Sequence, residues 1–370
     1  MTDEDLTHGG DAVAAIQSEL RAKSPLRRAI EITLSLSVVV LFFVFVIPKV
    51  TGSEYSKIWD EIQSLTVTEI LILTAIWFSA MLAYTGVLTS TLPGLTHTKA
   101  LVVNFAGSAV SNVFPFGGAL GVGATYAIDS SWGFRAPAIT LSILVSGIWN
   151  IFAKLGMPLV ALVLLLVSGD ATGKLVAPAV IGVIALGTAA TVVILILRSE
   201  KLADRIGKIG QIIVGKLFRL ARRSSTPDVH KSVLDFRHQS IGLLKTQWWK
   251  ISIWAALFYS IQFLLLFACL RFLGVDNITL AQAFAAFTVA RLLETVPITP
   301  SGVGIVEAGA ASALVSFGGD HDAATAAVFL FRGFIYLLEI PVGALAWVVW
   351  ATAKSWRVQN QPTAKSAATT

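Results

Sequence analysis

Long apolar runs alternate with short polar segments along this chain, and several runs are long enough to cross a membrane. A helix needs about 20 mainly apolar residues to span the hydrocarbon core of a bilayer. The uninterrupted runs lie at about 30–47, 68–92, 136–167, 175–197, 251–273 and 323–352. Apolar residues follow one another without a regular alternation with polar residues, and this favours membrane helices over the strands of a membrane β-barrel. The pattern predicts an all-α polytopic membrane protein with about six full transmembrane helices.

Two further apolar stretches, at about 100–128 and 280–317, are interrupted near their middle by proline and glycine. The first interruption contains Asn112, Pro115, Gly117 and Gly118, and the second contains Pro297, Pro300, Gly302 and Gly304. A continuous membrane helix gains nothing from these residues, because proline removes a backbone donor and glycine adds backbone freedom. Paired interruptions in corresponding halves of a chain are typical of the substrate site of a transporter. We therefore predict two re-entrant helical hairpins.

The basic residues indicate which side of the membrane each polar segment occupies. Lysine and arginine concentrate before the first run, between about 198 and 250, and after the last run. The positive-inside rule places all three segments in the cytoplasm. That assignment holds if the first hairpin enters from the cytoplasm and the second enters from the opposite side. The two halves then form the same unit in opposite orientations, which is an inverted-topology repeat.

This topology divides the chain into five parts. They are a cytoplasmic N-terminal segment (1–29), a membrane half with the first hairpin (30–197), a basic cytoplasmic loop (198–250), a membrane half with the second hairpin (251–353) and a disordered cytoplasmic tail (354–370). The prediction is a multi-pass protein of the cytoplasmic membrane with both termini in the cytoplasm.

Composition supports the membrane class and narrows the chemistry. The 370 residues are 55% hydrophobic and 14% charged, with a mean hydropathy of +0.76, whereas a soluble domain carries roughly a quarter charged residues. The net charge of +6 reflects the basic loops, and we expect no nucleic-acid partner. A single cysteine, Cys269, and five scattered histidines give no disulfide or metal-site pattern. We therefore expect no metal and no other cofactor, and the expected partners are membrane lipids.

Ionisable residues inside apolar stretches are costly and indicate function. The second half contains five of them, Arg291, Glu294, Glu307, Arg332 and Glu339. The spacing of three between Arg291 and Glu294, and of seven between Arg332 and Glu339, predicts that each pair shares a helix face. Two interpretations remain open and are compatible. The arginines bind an anionic headgroup in bidentate fashion, or the five residues form an internal ion-pair network that fixes the second hairpin to the last helix.

The first half is poorer in buried charge. Lys154 lies near a predicted kink at Gly156 and Pro158, and it either extends to the interface or lines the substrate pathway. Asn112 is expected to bond backbone groups that the break leaves free. Backbone N–H groups at the start of the arm after each glycine run suit an anion such as a lipid phosphate. We therefore expect the substrate's charged group nearer the second break than the first.

The broken segments resemble a known family. The segment 297–307, followed by Arg332, resembles the PxxPGGxGxxE…R pattern of the lysylphosphatidylglycerol synthase transmembrane family, also called flippase-like integral membrane proteins. The segment 112–118 looks like the NxxxP…GG element of the same family, and the resemblance covers about 34–353. Ser301 replaces a usual glycine, and the first unit lacks the arginine and glutamate that many members carry after the proline. The resemblance implies the flippase-like part alone, without lysine transfer.

These observations favour a lipid flippase that moves an anionic phospholipid or a polyprenyl-phosphate-linked lipid, and that is not an enzyme. No ATP-binding motif is present, so the expected drive is an ion gradient or the lipid gradient itself. A membrane-embedded enzyme or accessory subunit of lipid-linked glycan or cell-envelope synthesis is the alternative, since some relatives are associated with such pathways. Envelope-glycan biosynthesis proteins would then be partners. A non-catalytic scaffold is the third hypothesis.

Overall fold

The computed structural model describes residues 55–113, 117–169, 229–295 and 302–356, together with isolated helical positions between 184 and 212. The described residues form helices and contain no strand. The predicted span at 30–47, most of the span at 175–197, and Pro115, Pro297 and Pro300 lie outside the described residues.

The helices follow one another in a simple order. They are α1 (Tyr55–Gln63), α2 (Val67–Thr91), α3 (His97–Val113), α4 (Gly117–Ser131), α5 (Ala136–Ser168), α6 (Val229–Phe272), α7 (Leu280–Leu293), α8 (Ile305–Ser316), α9 (His321–Arg332) and α10 (Glu339–Thr352), with a π-helical turn (Gly333–Leu337) between α9 and α10 and a final 3-10 turn (Lys354–Trp356).

Four long apolar helical segments of the described chain are suited to cross a membrane. They are Val67–Thr91, Ala136–Ser168, Ser240–Phe272 and His321–Thr352. Each coincides with a run identified in the sequence, which confirms the all-α polytopic membrane class. Apolar side chains on these helices remain outward-facing, such as Leu71 at 63% and Val163 at 50% exposure. Such exposure suits a lipid environment, where apolar surface has no need of cover.

The first interrupted stretch folds back on itself as the helix pair α3–α4. Gly121 packs against Gly107 and Ser111, and Gly117 packs against the backbone of Ser111. A side chain at Gly117 or Gly121 would overlap those atoms, so glycine permits the close approach. At the other end of the pair the ammonium of Lys99 lies 5.2 Å from the centre of the Trp132 ring. The start of α3 and the end of α4 therefore lie side by side.

The second interrupted stretch folds back in the same way as the pair α7–α8. Gly302 and Gly304 adopt φ angles of +70° and +87°, which other residues rarely adopt. Gly309 faces the side chain of Leu293. At the far end of the pair the side-chain amide of Asn277 donates a hydrogen bond to the carbonyl of Gly318. Here too the entry and the exit of the pair are adjacent.

The open ends of the two pairs lie at opposite ends of the last long helical segment. The Trp132 ring contacts Trp356 at 6.1 Å between centroids, and the indole of Trp350 donates to Ser131 Oγ over 3.0 Å. The open end of α3–α4 is thus beside the C-terminal end of α10. The open end of α7–α8 instead continues through Gly318–Asp320 directly into the start of α9. The last helical segment therefore connects the two ends of the molecule.

Two elements differ from the sequence-based expectation. The second half of the predicted basic loop, from residue 229, belongs to α6, which continues to Phe272 without interruption. At 44 residues this helix is about 66 Å long, roughly twice the hydrocarbon thickness, so a membrane can enclose only part of it. The last span is divided by the π turn, where the Leu338 N–H donates to the Gly333 carbonyl over 2.8 Å. No irregularity was expected there, because the apolar run shows none.

Candidate functional site

Glu294 lies at the centre of a cluster of charged side chains between the two halves. Its carboxylate is 3.2 Å from Lys154 Nζ of α5, 3.1 Å from Arg291 Nη1 of α7 and 3.2 Å from Arg332 Nη1 of α9. Its side chain is 12% exposed. A buried carboxylate is costly unless it is paired and hydrogen-bonded. Three cations on three helices supply that compensation and tie the helices together.

Glu307 is fixed more tightly than Glu294. One of its oxygens accepts a 2.7 Å hydrogen bond from Arg332 Nε, and the other accepts from the backbone N–H of Gly304. Glu307 is the third residue of α8, where a carboxylate satisfies a free N–H at the helix start and favours the helix dipole. The side chain is 1% exposed. Glu307 therefore joins the turn after the second break to Arg332 of the last span. Of the five residues predicted to form an ion-pair network, four do so among the described residues, and Glu339 does not.

Arg291 is buried but its hydrogen-bonding groups are only partly used. Its guanidinium lies beside two rings, 4.9 Å from the centre of Phe287 and 5.2 Å from that of Phe331. Nη1 contacts Glu294, whereas Nε and Nη2 have no hydrogen-bond partner among the described residues. Nε and Nη2 share one edge of the planar group, which is the edge that binds a carboxylate or phosphate in bidentate fashion. Arg291 thus has a buried, unpaired edge of the type that binds anions.

Glu339 is the carboxyl group of the site that has no salt bridge in the described part of the chain. It is 8% exposed and lines the same cavity as Ser108 of α3. The seven-residue spacing from Arg332 predicted one shared helix face. The intervening π turn has more residues per turn than an α-helix and rotates the two side chains apart. Arg332 consequently reaches Glu307 and Glu294, while Glu339 reaches α3.

A cavity of about 230 Å³ adjoins the charged cluster. We call it the central cavity, and it is lined by Met81, Tyr84, Asn104, Ser108, Asn150, Lys154, Phe258, Tyr259, Arg291 and Glu339. Its wall contains helices from both halves of the chain. Asn150 fixes two of its aromatic residues, since its amide donates to the Tyr84 hydroxyl over 3.0 Å and accepts from the Tyr259 hydroxyl over 3.2 Å. The cavity thus combines two cations with polar and aromatic groups.

A second cavity, of about 240 Å³, lies within the first half. We call it the lateral cavity. Its wall includes Ser111, Asn112 and Gly118 beside the first break, and Asp129 near the end of α4. It shares three lining residues with the central cavity, Tyr84, Asn104 and Ser108. The two spaces are therefore adjacent, and the first break borders them although it contributes no ion pair among the described residues.

The structure brings most of the sequence-predicted residues to this region. Arg291, Glu294, Glu307, Arg332, Glu339 and Lys154 meet around one cluster, and Lys154 contacts Glu294 instead of extending to the interface. Asn112 donates to the carbonyl of Tyr336 over 3.3 Å and so links the first break to the π turn. Gly302 and Gly304 shape the turn before α8, and Gly117 is a packing residue of α3–α4. Pro115, Pro297 and Pro300 lie outside the described residues.

Sequence reasoning missed the uncharged residues of the central cavity. Tyr84, Ser108 and Tyr259 come from three different helices. Each is a common residue in membrane helices, and no local pattern distinguishes it. A role in substrate binding is indicated only by the charged residues that lie beside these three side chains in the packed structure. Asn104 and Asn150 were visible in the sequence as buried amides, but not as the walls of a cavity.

Comparison with known proteins adds one finding. A family model described as the lysylphosphatidylglycerol synthase TM region matches residues 31–343, which is most of the chain. No curated protein and no solved structure matches the sequence.

Proposed function

The chain belongs to the lysylphosphatidylglycerol synthase transmembrane-region family, and on that premise we propose that it moves an anionic lipid across the membrane. The family is a membrane domain with a lipid-related function. The substrate would be a phospholipid or a polyprenyl phosphate whose headgroup enters the central cavity. The observation that supports this most strongly is the unpaired Nε–Nη2 edge of buried Arg291, since a charged donor is seldom left unused in a protein interior.

The charges around the central cavity suit a phosphate. Arg291 would hold two phosphate oxygens, and Lys154, also in the wall, would supply a second positive charge. A bound phosphate would neutralise the buried positive charge of Arg291. Such ion pairs are strong because the protein interior has a low dielectric constant. Glu307 and Arg332 would hold the second helix pair in place and would not touch the lipid.

The arrangement of the helix pairs suits alternating access. We infer that α3–α4 enters from the cytoplasmic side and α7–α8 from the opposite side, as an inverted repeat around the central cavity. The opposite placement of their open ends along α9 and α10 supports this, because transporters of this type bind substrate near the membrane midplane between the repeats. The lateral cavity would extend the headgroup route towards the open end of α3–α4.

Lipid flipping in proteoliposomes tests the proposal. Phosphatidylglycerol with a fluorescent nitrobenzoxadiazole label is placed in both leaflets, and dithionite bleaches the label that becomes accessible outside. We expect the wild type to accelerate bleaching over protein-free vesicles. Arg291→Gln should slow it roughly ten- to hundredfold, because a hydrogen bond to a charged group contributes about 1.5–3 kcal/mol. Arg291→Lys should give a bleaching rate between those of the wild type and Arg291→Gln, because lysine keeps the positive charge but cannot bind two phosphate oxygens in bidentate fashion.

The matched control is Lys208→Gln, which removes a positive charge from an exposed ion pair with Asp204 and should leave flipping unchanged. A second set of vesicles containing labelled polyprenyl phosphate distinguishes the two lipid classes. If folded wild-type protein flips neither lipid, the transporter proposal is wrong. Product formed from a lipid-linked sugar would instead support the enzyme or accessory-subunit alternative.

A further inference from the structure

The lateral cavity differs from the central cavity in the polar groups that line it. Lys154 and Arg291 line the central cavity, whereas the described residues around the lateral cavity include no lysine or arginine. Its polar wall instead combines uncharged hydroxyl and amide groups with one carboxyl group, that of Asp129. The hydroxyl and amide groups include those of Asn104, Ser111, Asn112, Thr125, Ser142 and Ser146. The lateral cavity is therefore suited to a polar group that carries no negative charge.

Asp129 supplies an unused hydrogen-bond acceptor in this wall. The residue is 3% exposed, and its Oδ1 atom has no hydrogen-bond partner among the described residues. The turn that ends α4 does not need this side chain, because the Asp129 backbone carbonyl accepts from the N–H groups of Trp132 and Phe134. Buried polar atoms are seldom left without a partner. Since Oδ1 can accept whether the carboxyl group is ionised or protonated, a ligand that donates a hydrogen bond would satisfy it.

The size of the lateral cavity indicates a group of several atoms. Its volume is about 240 Å³, whereas roughly 10–15 Å³ by the same kind of measure holds one water molecule. A single metal ion or water molecule would leave most of this space unfilled. A glycerol or sugar group would fill more of it with polar atoms.

The wall contains weakly satisfied donors as well as acceptors. The amide of Asn104 donates to Met81 Sδ over 3.8 Å, and a thioether sulfur is a weak acceptor. A ligand hydroxyl group can accept from such a donor and can also donate to Asp129. An ammonium group only donates and would leave the Asn104 amide with its weak partner. The mixed wall therefore favours a polyol over an amine.

The positions of the two cavities match the order of groups in such a headgroup. They share Tyr84, Asn104 and Ser108, so a ligand in one continues directly into the other. A phosphate held by Arg291 in the central cavity would place the group attached beyond it at this junction. That group would then extend into the lateral cavity towards Asp129. Such a ligand is a phosphodiester, with the lipid on one side of the phosphate and a polyol on the other.

We infer that the lateral cavity binds the polyol part of the lipid headgroup, with Asp129 accepting a hydrogen bond from one of its hydroxyl groups. This rests on the proposed lipid-transport function and narrows its substrate to lipids that carry glycerol or a sugar on the phosphate. Arg291 recognises the charge that all anionic lipids share. Asp129 and the hydroxyl-rich wall select among them.

Two short-chain lipids with the same phosphodiester charge separate this subsite from the anion site. Dioctanoyl phosphatidylglycerol and dioctanoyl phosphatidylethanol are each titrated calorimetrically into the full-length protein in detergent. The wild type should bind phosphatidylglycerol roughly tenfold more tightly, which corresponds to about one or two net hydrogen bonds. Asp129→Ala should reduce the ratio of the two affinities to about one. Asp129→Asn should restore part of the ratio, because its amide oxygen still accepts.

Two further variants keep the test independent of how Asp129 variants fold. Thr125→Val removes one hydroxyl group from the wall at nearly constant size and should lower the ratio about threefold. Arg291→Gln should weaken the binding of both lipids and leave their ratio unchanged. The matched control is Thr352→Val at the exposed end of α10, where the hydroxyl donates to the Val348 carbonyl of its own helix. This control should keep both affinities and their ratio.

A second pair of ligands distinguishes the two sources of a polyol. Farnesyl phosphate and farnesyl phosphoryl mannose are compared in the same way, and a larger gain from mannose than from glycerol assigns a sugar headgroup. Equal affinities within both pairs, or tighter binding of dioctanoyl phosphatidylethanolamine than of phosphatidylglycerol, would overturn the polyol subsite. Flipping of phosphatidylglycerol by the wild type would then leave the transport function standing. Failure of the wild type both to bind and to flip these lipids would remove the transport function and the subsite together.

Discussion

At the scale of single residues, the buried charges have distinct structural situations although the sequence presents them alike. Glu307 is immobilised by Arg332 and the Gly304 N–H. Arg332 is shared between Glu307 and Glu294. Arg291 keeps an unpaired edge, and Glu339 has no salt bridge among the described residues. Glu307 and Arg332 therefore stabilise the fold. Arg291 and Glu339 have hydrogen-bonding groups available for a substrate.

The Arg332→Gln substitution should destabilise the protein strongly. It would leave Glu307 without its cation and Glu294 with one fewer, and removing one member of a buried pair costs about 3–5 kcal/mol. The double variant Arg332→Gln with Glu307→Gln should recover part of this loss, because it removes the isolated charge as well. Unfolding in mixed micelles measures both. Lys208→Gln is the surface control, which should change stability by less than about 1 kcal/mol. If Arg332→Gln alone is as stable as Lys208→Gln, the structural role of Arg332 is contradicted.

At the scale of elements, contact between α3 and α10 links the first helix pair to the last span. The indole of Trp347 donates to the Ala106 carbonyl over 3.1 Å. Gly343 of α10 faces the Phe105 carbonyl and the Ala109 side chain so closely that a methyl group would overlap both. Small residues at such a contact allow close helix approach where lipid offers no hydrophobic driving force.

The Gly343→Ala substitution should separate α3 from α10. The new methyl group would meet backbone, which cannot rotate away, so we expect a loss of about 1–3 kcal/mol from overpacking. Gly147→Ala in α5 is the matched control, because it lies within a helix and nothing lies within 4 Å of the added carbon. Helix propensity predicts that this control is neutral or stabilising by up to about 1 kcal/mol. Thermal unfolding of the two variants in detergent distinguishes them. Equal melting temperatures would show that the contact is not tight.

At the scale of the whole molecule, the two folded-back pairs and the long segment between their open ends define two sides. Trp350 and Trp356 lie with the open end of α3–α4, and Asn277 and Gly318 lie with that of α7–α8. The positive-inside rule predicts that the first of these ends faces the cytoplasm. The charged cluster lies between them, where both pairs and α9–α10 meet.

Cysteine labelling in intact cells tests this orientation. In a Cys269→Ser background, Thr98→Cys at the exposed start of α3 and Asp276→Cys at the exposed approach to α7 report the two open ends. A membrane-impermeant maleimide should label Asp276→Cys from outside and should reach Thr98→Cys only after the cells are opened. The two positions are matched in exposure, so a difference reports sidedness. Labelling of both from the same side would show that the pairs are not inverted.

Much of the architecture follows from local chemistry in the sequence. The length of the apolar runs predicted the four described spanning segments, because a membrane selects for length and apolarity alone. The proline and glycine interruptions marked where α3–α4 and α7–α8 fold back. The buried charges marked the residues that meet at the cluster, since such residues are costly without partners. The long α6 and the π turn were not predicted, because both are set by packing and neither changes the apolar pattern.

The sequence by itself therefore determined the membrane class, the two breaks and the residues that carry buried charge, because each is a property of a single run of the chain. Only the tertiary structure decided which charges are paired. Residues on different helices compete for the same partners, and the outcome depends on distances of a few ångströms. That competition gives Glu294 three cations, pairs Glu307 with Arg332, and leaves Arg291 with an unpaired edge and Glu339 without a salt bridge among the described residues.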